Sequence, residues 1–369
     1  VVVDGLQAGM LGPFGNRWIR TPAFNRLASD ALVCDFAYNC RPSLNETLRT
    51  LLVNQPATDA AVLITDEPAA ALCAAAHWSQ VIEVPPAESA TAESLDATQF
   101  AKLMNAAVEW LSQATPPFKL WIWSRGMYGP WDAPLELRQA YGDEDDPDPP
   151  DVVHPPALQL TTGYDPDELL GLVHAYAGQV AALDDCLGDL LDAMVELPDA
   201  ENTLLAVLGA RGYPLGEHLR VGLCDAALYS ELTHVPLLVR LPNEGSRLLR
   251  TGALVSLDDV PESLANFLAD VPLPLVQLGE GQPLPWRDHL LMASQADRAI
   301  RTPAWLLRSE TSSPETLAAP CQLYVKPDDR WEVNDIADRC GEITEQLAAA
   351  LDAPTTGEPL PHELVTPVE

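Results

Sequence analysis

The chain reads as an α/β fold built on a large, mixed but mainly parallel sheet, with a small C-terminal α+β unit that carries an antiparallel sheet. Three observations predict this. The short apolar runs "VVVDG" (1–5) and "AAVLITD" (60–66) end on a polar residue, as buried central strands do at their carboxyl tips. Such runs alternate with segments of helical period through most of the chain. Beyond the Pro/Gly-rich stretch "VPLPLVQLGEGQPLPWRD", strand-like runs follow one another closely and a single helix closes the pattern. The expected division is therefore 1–280 and 281–369.

The elements follow in order. Thr21 is placed to cap a helix that has Pro22 at its first position, with Phe24, Leu27, Ala28 and Ala31 as its apolar stripe. "LVCDFAYN" has strand character, and Ser43 with Glu46 three residues later forms a capping box that opens the next helix. "FAKLMNAAVEWLSQA" is amphipathic and "FKLWIWS" is a strand. The acidic, proline-rich run 142–160 is expected to be a surface excursion without packed elements. Residues 166–197 form the longest helical pattern, followed by strands in "TLLAVLGARG" (203–212) and "HVPLLVRLP" (234–242) and a helix in 256–270. "RAIRTPAWLLRSE" and "CQLYVKP" have strand character, and "GEITEQLAAAL" is the closing helix.

Composition limits the partners. The 369 residues include 54 Asp+Glu against 21 Lys+Arg, a net charge of −33. Nucleic acid requires the opposite balance to neutralise its phosphates, and anionic membrane surfaces repel such a chain. No apolar run approaches the ~18 residues of a membrane span. The seven cysteines, Cys34, Cys40, Cys73, Cys186, Cys224, Cys321 and Cys340, are scattered, and none forms a CxxC pair. That pattern offers neither a zinc site nor a disulfide framework and favours a reducing, cytoplasmic setting. The sequence opens on a strand rather than on methionine, so the lack of a leader segment carries little weight.

Several segments, taken in order, resemble the sulfatase family of the alkaline-phosphatase superfamily. They are "VVVDG", "GNRWIRTPAFNRLASDAL", "CRPSL", "LGARGYPLGEH" (208–218), "ALYSELTHVPLLVRLP", "VSLDDVPESLANFLAD" and "CQLYVKPDDRWEVNDIAD". The resemblance implies a large sheet sandwiched by helices and a four-stranded antiparallel sheet in the small C-terminal domain. It also implies a sulfuric-ester hydrolase chemistry. A calcium ion held by carboxylates offsets the anionic charge, a cysteine converted to formylglycine attacks sulfur, and an Arg in the Cys-x-Pro-Ser-Arg motif holds sulfate oxygens.

Carried over position by position, Asp4 matches the first ligand, and Gly5 stands where the second carboxylate belongs. Ala210 and Arg211 replace a later Asp and its neighbour. Cys40 matches the nucleophile precursor, and Leu44 replaces the motif Arg, which removes the signal for its conversion. Cys40 is open to three readings: a buried small hydrophobe, a thiolate activated by a helix N-terminus and Arg41, or formylglycine. Asp4 and Arg211 are candidates to pair where the metal would sit. Glu217 and His218 of "LGEH" are expected to shape a turn, while Trp131 and Asp132 of "MYGPWD" fit either a cleft mouth or loop packing.

Three functions follow from the resemblance and its gaps. The first is a pseudo-sulfatase that acts by binding, with no cofactor and with Arg41 and Arg211 as weak contacts for a small anionic or sulfated ligand, or with a protein as partner. The second is an active sulfate or phosphate ester hydrolase with Ca2+ in an altered site drawn from Asp66, Asp132, Asp35 or Glu217. The third is a thiol-dependent activity at Cys40.

Overall fold

Val2 and Val3 expose no surface because each faces a different apolar layer across one strand. The computed structural model describes residues 1–53, 61–86, 90–224, 227–268, 287–310, 321–353 and 359–366. The strand β1 (Val2–Val3) lies between β5 (Lys119–Ser124) and β7 (Leu205–Gly209), parallel to both. Beyond β5 the sheet continues in parallel through β3 (Ala61–Thr65) and β4 (Gln80–Glu83). On the other side, β10 (Leu237–Arg240) runs antiparallel to both β7 and β2 (Leu32–Tyr38), and β11 (Arg250–Ser256) is parallel to β2. The stretch expected as one strand over 234–242 is broken at Pro236, which has no N–H for the ladder; its first part, β9 (His234–Val235), pairs with β2. The sheet has nine strands in the described residues. It is mainly parallel, as the alternation predicts, and mixed, as the resemblance implies.

Helices cover both faces. One layer holds α1 (Pro22–Asp30), α4 (Gln99–Gln113) and α6 (Pro166–Val195), which bury Phe24, Leu27, Phe100, Leu103 and Leu187 against Val3, Ile64, Ile122 and Val207. The other layer holds α2 (Leu44–Leu48), α3 (Pro68–Ala74) and α8 (Asp259–Leu268), packed on Val2, Leu63, Trp123 and Leu208. Two caps differ from the expected ones. Thr21 precedes α1, but its hydroxyl accepts from Gly12 N–H at 2.9 Å, and the open N–H groups of Ala23 and Phe24 are taken by the Asp184 carboxylate at 2.9 Å each. Ser43 does accept from Glu46 N–H at 3.3 Å, yet Glu46 turns to Arg41 and Arg49 instead of completing the box.

The run 142–160 is more firmly held than its composition suggests. Arg138, on α5 (Leu135–Gln139), is fully buried and donates to the carbonyls of Ala133 at 3.2 Å, Pro150 at 2.7 Å, Val152 at 3.0 Å and Trp131 at 2.5 Å. Leu158–Gln159 (β6) then pairs antiparallel with Arg220–Val221 (β8). The excursion is therefore bolted to the body by one guanidinium and one short ladder.

A separate antiparallel sheet follows, in the order β12 (Leu290–Ala293), β13 (Asp297–Arg301), β14 (Trp305–Glu310) and β15 (Cys321–Val325). "RAIRTPAWLLRSE" is thus a hairpin rather than one strand. The helix α9 (Gly341–Asp352) covers one face through Leu347 and Leu351. The other face meets the large sheet, where Leu290, Met292, Leu306 and Tyr324 pack with Tyr38, Cys40 and Leu254. The 280/281 division and the loop "TSSPETLAAP" fall outside the described residues. No helix among those described is long and apolar enough to cross a membrane.

Candidate functional site

Parallel strands bring their carboxyl ends to one edge, and ligands of open α/β sheets bind there. The tip of β1 places Asp4 between the tips of β5 and β7: Asp4 N–H donates to Ser124 at 3.1 Å, and Ala210 N–H donates to Val3 at 2.9 Å. Arg211, one residue farther along, swings back over the tip. Its Nε donates to Asp4 Oδ1 at 2.9 Å and its Nη2 to Oδ2, a bidentate pair with both residues buried. Burial works against the Arg211 charge, but the Asp4 carboxylate outweighs it and holds the guanidinium above its ordinary value. The pairing contemplated from the sequence is therefore the geometry found.

A tyrosine fills the space beside the pair. The Arg211 guanidinium lies 4.6 Å from the centre of the Tyr128 ring. Tyr128 donates its hydroxyl to Gly212 O at 2.9 Å and receives the Cys224 thiol at 2.7 Å. Burial, with Cys224 beside it, raises this phenol well above its ordinary value, so it remains a neutral donor. The same ring limits Gly5, which has φ +76°; a Cβ there would lie 2.8 Å from Met127 Cβ and 3.1 Å from Tyr128 Cδ2. A carboxylate at position 5 would meet both backbone strain and the tyrosine. Tyr176 adds a second tie, donating to Gly5 O at 2.8 Å.

The four positions that the resemblance assigns to the metal, Asp4, Gly5, Ala210 and Arg211, supply one carboxylate, and a guanidinium holds it. Calcium takes roughly six to eight oxygen ligands. The residues present do not fit that ion, and among the described residues no group of three or more His, Cys, Asp or Glu side chains could hold a metal.

Cys40, two residues past β2, packs its side chain with the small sheet and Ser256 instead of with the Asp4–Arg211 pair. It lies ahead of α2 rather than at its start, since Ser43 is the cap and Leu44 the first helical residue. Its thiol packs in the seam between the sheets and accepts from the Ser256 hydroxyl at 3.5 Å. Burial pushes the thiol up to about 11, against a smaller opposing effect of Ser256. The residue that does reach Ala210 from this segment is Asn39, whose Nδ2 donates to Ala210 O at 2.7 Å and to Thr47 Oγ1 at 2.8 Å. Leu44 is half-buried against the opposite apolar layer. Alkylation of the native protein under mild conditions is expected to label exposed Cys224 and spare Cys40, as read by peptide mass mapping. Rapid labelling of Cys40 would restore the activated-thiolate reading.

The other candidates have structural partners. Arg41 is half-exposed and forms a two-pronged pair with Asp258 at 3.0 and 3.1 Å. Asp35 pairs with Arg250. Asp66, at the tip of β3, accepts Arg125 N–H at 2.7 Å, and burial raises it to about 6 despite that bond. Asp132 is fully buried; it caps α4 by accepting Gln99 N–H at 2.6 Å and also accepts from Gln179 at 3.3 Å. Trp131 is buried and donates to Met127 O, so loop packing describes both residues of that pair. Glu217 accepts Leu215 N–H at 2.5 Å, which shapes its turn. The residues that reading by position missed are Tyr128, Tyr176 and Asn39. The sole signal for them was the aromatic run "MYGPWD", which contains Tyr128.

Comparison with known proteins agrees with this architecture. The sulfatase family model matches residues 71–271, more than half of the chain, a range that includes Ala210 and Arg211 but neither Asp4 nor Cys40. The phosphonate monoester hydrolase of Agrobacterium radiobacter superposes with a TM-score of 0.71 at 15% identity, over 95% of this chain and 93% of its own. A putative sulfatase from Bacteroides thetaiotaomicron superposes with a TM-score of 0.68 at 14% identity, over 95% and 90%. A third protein, solved with its substrate D-glucosamine-2-N,6-O-disulfate, gives 0.67 at 14% identity, over 95% and 96%. At such identities the superpositions speak for the fold alone. The family pattern, in contrast, covers most of the large sheet and its helices, and by that match the chain belongs to the sulfatase family.

Proposed function

We propose that this sulfatase-family chain acts by binding and not by ester hydrolysis. The observation that carries the proposal is the bidentate Asp4–Arg211 pair, with Tyr128 packed against it and against Gly5. A guanidinium supplies one positive charge with fixed N–H donors, but it offers no open coordination position at which to activate a nucleophile or polarise a leaving group. The state of Cys40 supports the same view, since burial holds its thiol protonated and so a poor nucleophile. The ligand class we infer is a small anionic or sulfated molecule at the carboxyl edge of the sheet. One structural neighbour holds a disulfated glucosamine as its substrate. Arg125, next after β5, and Arg211, two residues beyond β7, are cations at that edge, and the strong negative charge of the chain leaves room for an anion only where such cations correct the field.

Elemental analysis after dialysis, followed by calcium titration with thermal melting, tests this. The expected result is no stoichiometric divalent metal, no calcium-dependent rise in Tm, and no turnover of aryl sulfates or phosphate monoesters. One tightly held ion per chain, or calcium-dependent hydrolysis, would overturn the proposal and favour a rebuilt hydrolase site.

A further inference from the structure

The "LGEH" turn joins the two lobes through His218. This residue follows β7 and its Arg211, and it is held in a left-handed conformation, φ 51°, with Leu219 next to it at φ 60°. Such angles are unfavourable for a residue other than glycine, so the surroundings must hold them. They do so by three contacts. Nδ1 lies 2.9 Å from Glu231 Oε1, Nε2 lies 3.1 Å from the Glu332 carbonyl oxygen, and the ring stacks flat on Tyr229, with centroids 3.5 Å apart and planes at 9°. Glu231 is in α7 (Ser230–Thr233) of the large lobe. Glu332 follows β15 of the small one.

Both ring nitrogens therefore face acceptors. A backbone carbonyl has no proton to give. A neutral imidazole carries one N–H and one lone pair, so in that form one of the two contacts would set lone pair against lone pair. Against a Glu231 carboxylate, which also pairs with Arg220, only the imidazolium satisfies both. We infer that His218 is held as a protonated, doubly donating clamp between the two lobes, and that raising the pH releases it.

The charges around the ring are consistent with this. From β8, Arg220 donates to the same Glu231 Oε1 at 2.8 Å and works against a second cation there. From the small lobe, Lys326 pairs with the Glu332 carboxylate at 2.5 Å, and Ser230 N–H donates to that carboxylate at 2.8 Å. Arg308, from β14, lies 4.4 Å from the centre of the Tyr229 ring. Burial alone would depress His218, but the Glu231 carboxylate and the Glu332 carbonyl outweigh it and leave the imidazole above its ordinary value. The side chain keeps 19% of its surface exposed, enough for the proton to exchange with solvent. A raised folded-state value means that the clamp contributes fully below the unfolded imidazole value of about 6.5 and is lost as pH rises through the folded value. When it is lost, the strained His218–Leu219 turn is free to relax, and with it the connection that runs back to Arg211. This inference does not depend on whether the chain turns over esters.

Histidine ring titration by NMR on the full chain is the test, with the exposed His77 and His154 as internal references. The expected result is a His218 midpoint above both references, with both ring nitrogens protonated below it. A midpoint at or below theirs would overturn the inference. Urea denaturation of the wild type and of His218→Gln from pH 6 to 9 gives a second readout. The stability gap between them is expected to shrink steadily as pH rises. A gap that stays constant over that range would make the role of His218 purely structural.

Discussion

Replacing Arg211 with Met is expected to destabilise the fold by about 3–5 kcal/mol, because it leaves Asp4 buried without its counter-charge. That carboxylate keeps Gly5 N–H at 3.1 Å, one neutral donor for a group that now receives two charged ones. The double variant Asp4→Asn/Arg211→Met is expected to recover most of the loss, since an ion pair exchanged for neutral groups of similar volume often costs little. Chemical denaturation of the wild type, both single variants and the double variant closes the cycle. If Arg211→Met were as stable as wild type, the pair would not be what holds the strand tips together. If it instead gained calcium affinity, the guanidinium would be shown to be what blocks the cation. Restoring a carboxylate by Gly5→Asp is not an equivalent test, because the positive φ and the Tyr128 ring oppose any side chain there.

The second large effect is expected at Arg138. Truncation by Arg138→Ala removes the donor from four carbonyls at once, those of Trp131, Ala133, Pro150 and Val152. Each buried acceptor left unpaired costs about 1–3 kcal/mol, so a total loss of at least about 3 kcal/mol is expected. The loss should be local before it is global: limited proteolysis should cut the variant within 142–157 under conditions in which the wild type resists. Gly178 on α6 is part of the reason the guanidinium fits, since a Cβ there would come within 2.8 Å of Arg138 Cγ. Equal protease resistance in the two proteins would show that β6 and the packing of Val153 suffice to hold the excursion.

Much of the large sheet was legible because buried parallel strands are short apolar runs, and those runs need no partner to be recognised. β1, β3, β5 and β7 were all read this way. The errors have particular causes. Pro236 splits an apolar run, and the loss of an N–H, not a change in hydropathy, decides where the ladder stops. The caps of α1 were misassigned because the carboxylate that serves them, Asp184, comes from α6, more than 150 residues along the chain. The excursion 142–160 looked free because nothing in an acidic, proline-rich run announces a buried arginine that precedes it.

For the candidate site, the sequence by itself determined which chemistry-bearing side chains are absent. The side chains of Gly5, Leu44 and Ala210 carry no oxygen ligand or cation wherever they are placed. It also determined that Asp4 and Arg211 stand at the ends of apolar runs and so at the edge of a sheet. The tertiary structure alone decided that these two, 207 residues apart, meet, that Tyr128 covers them, and that Cys40 turns into the seam between the lobes. Residue type is a local property, and spacing reveals periodicity. Which charge neutralises which depends on strand order, and strand order is set by the packing of apolar faces from distant parts of the chain.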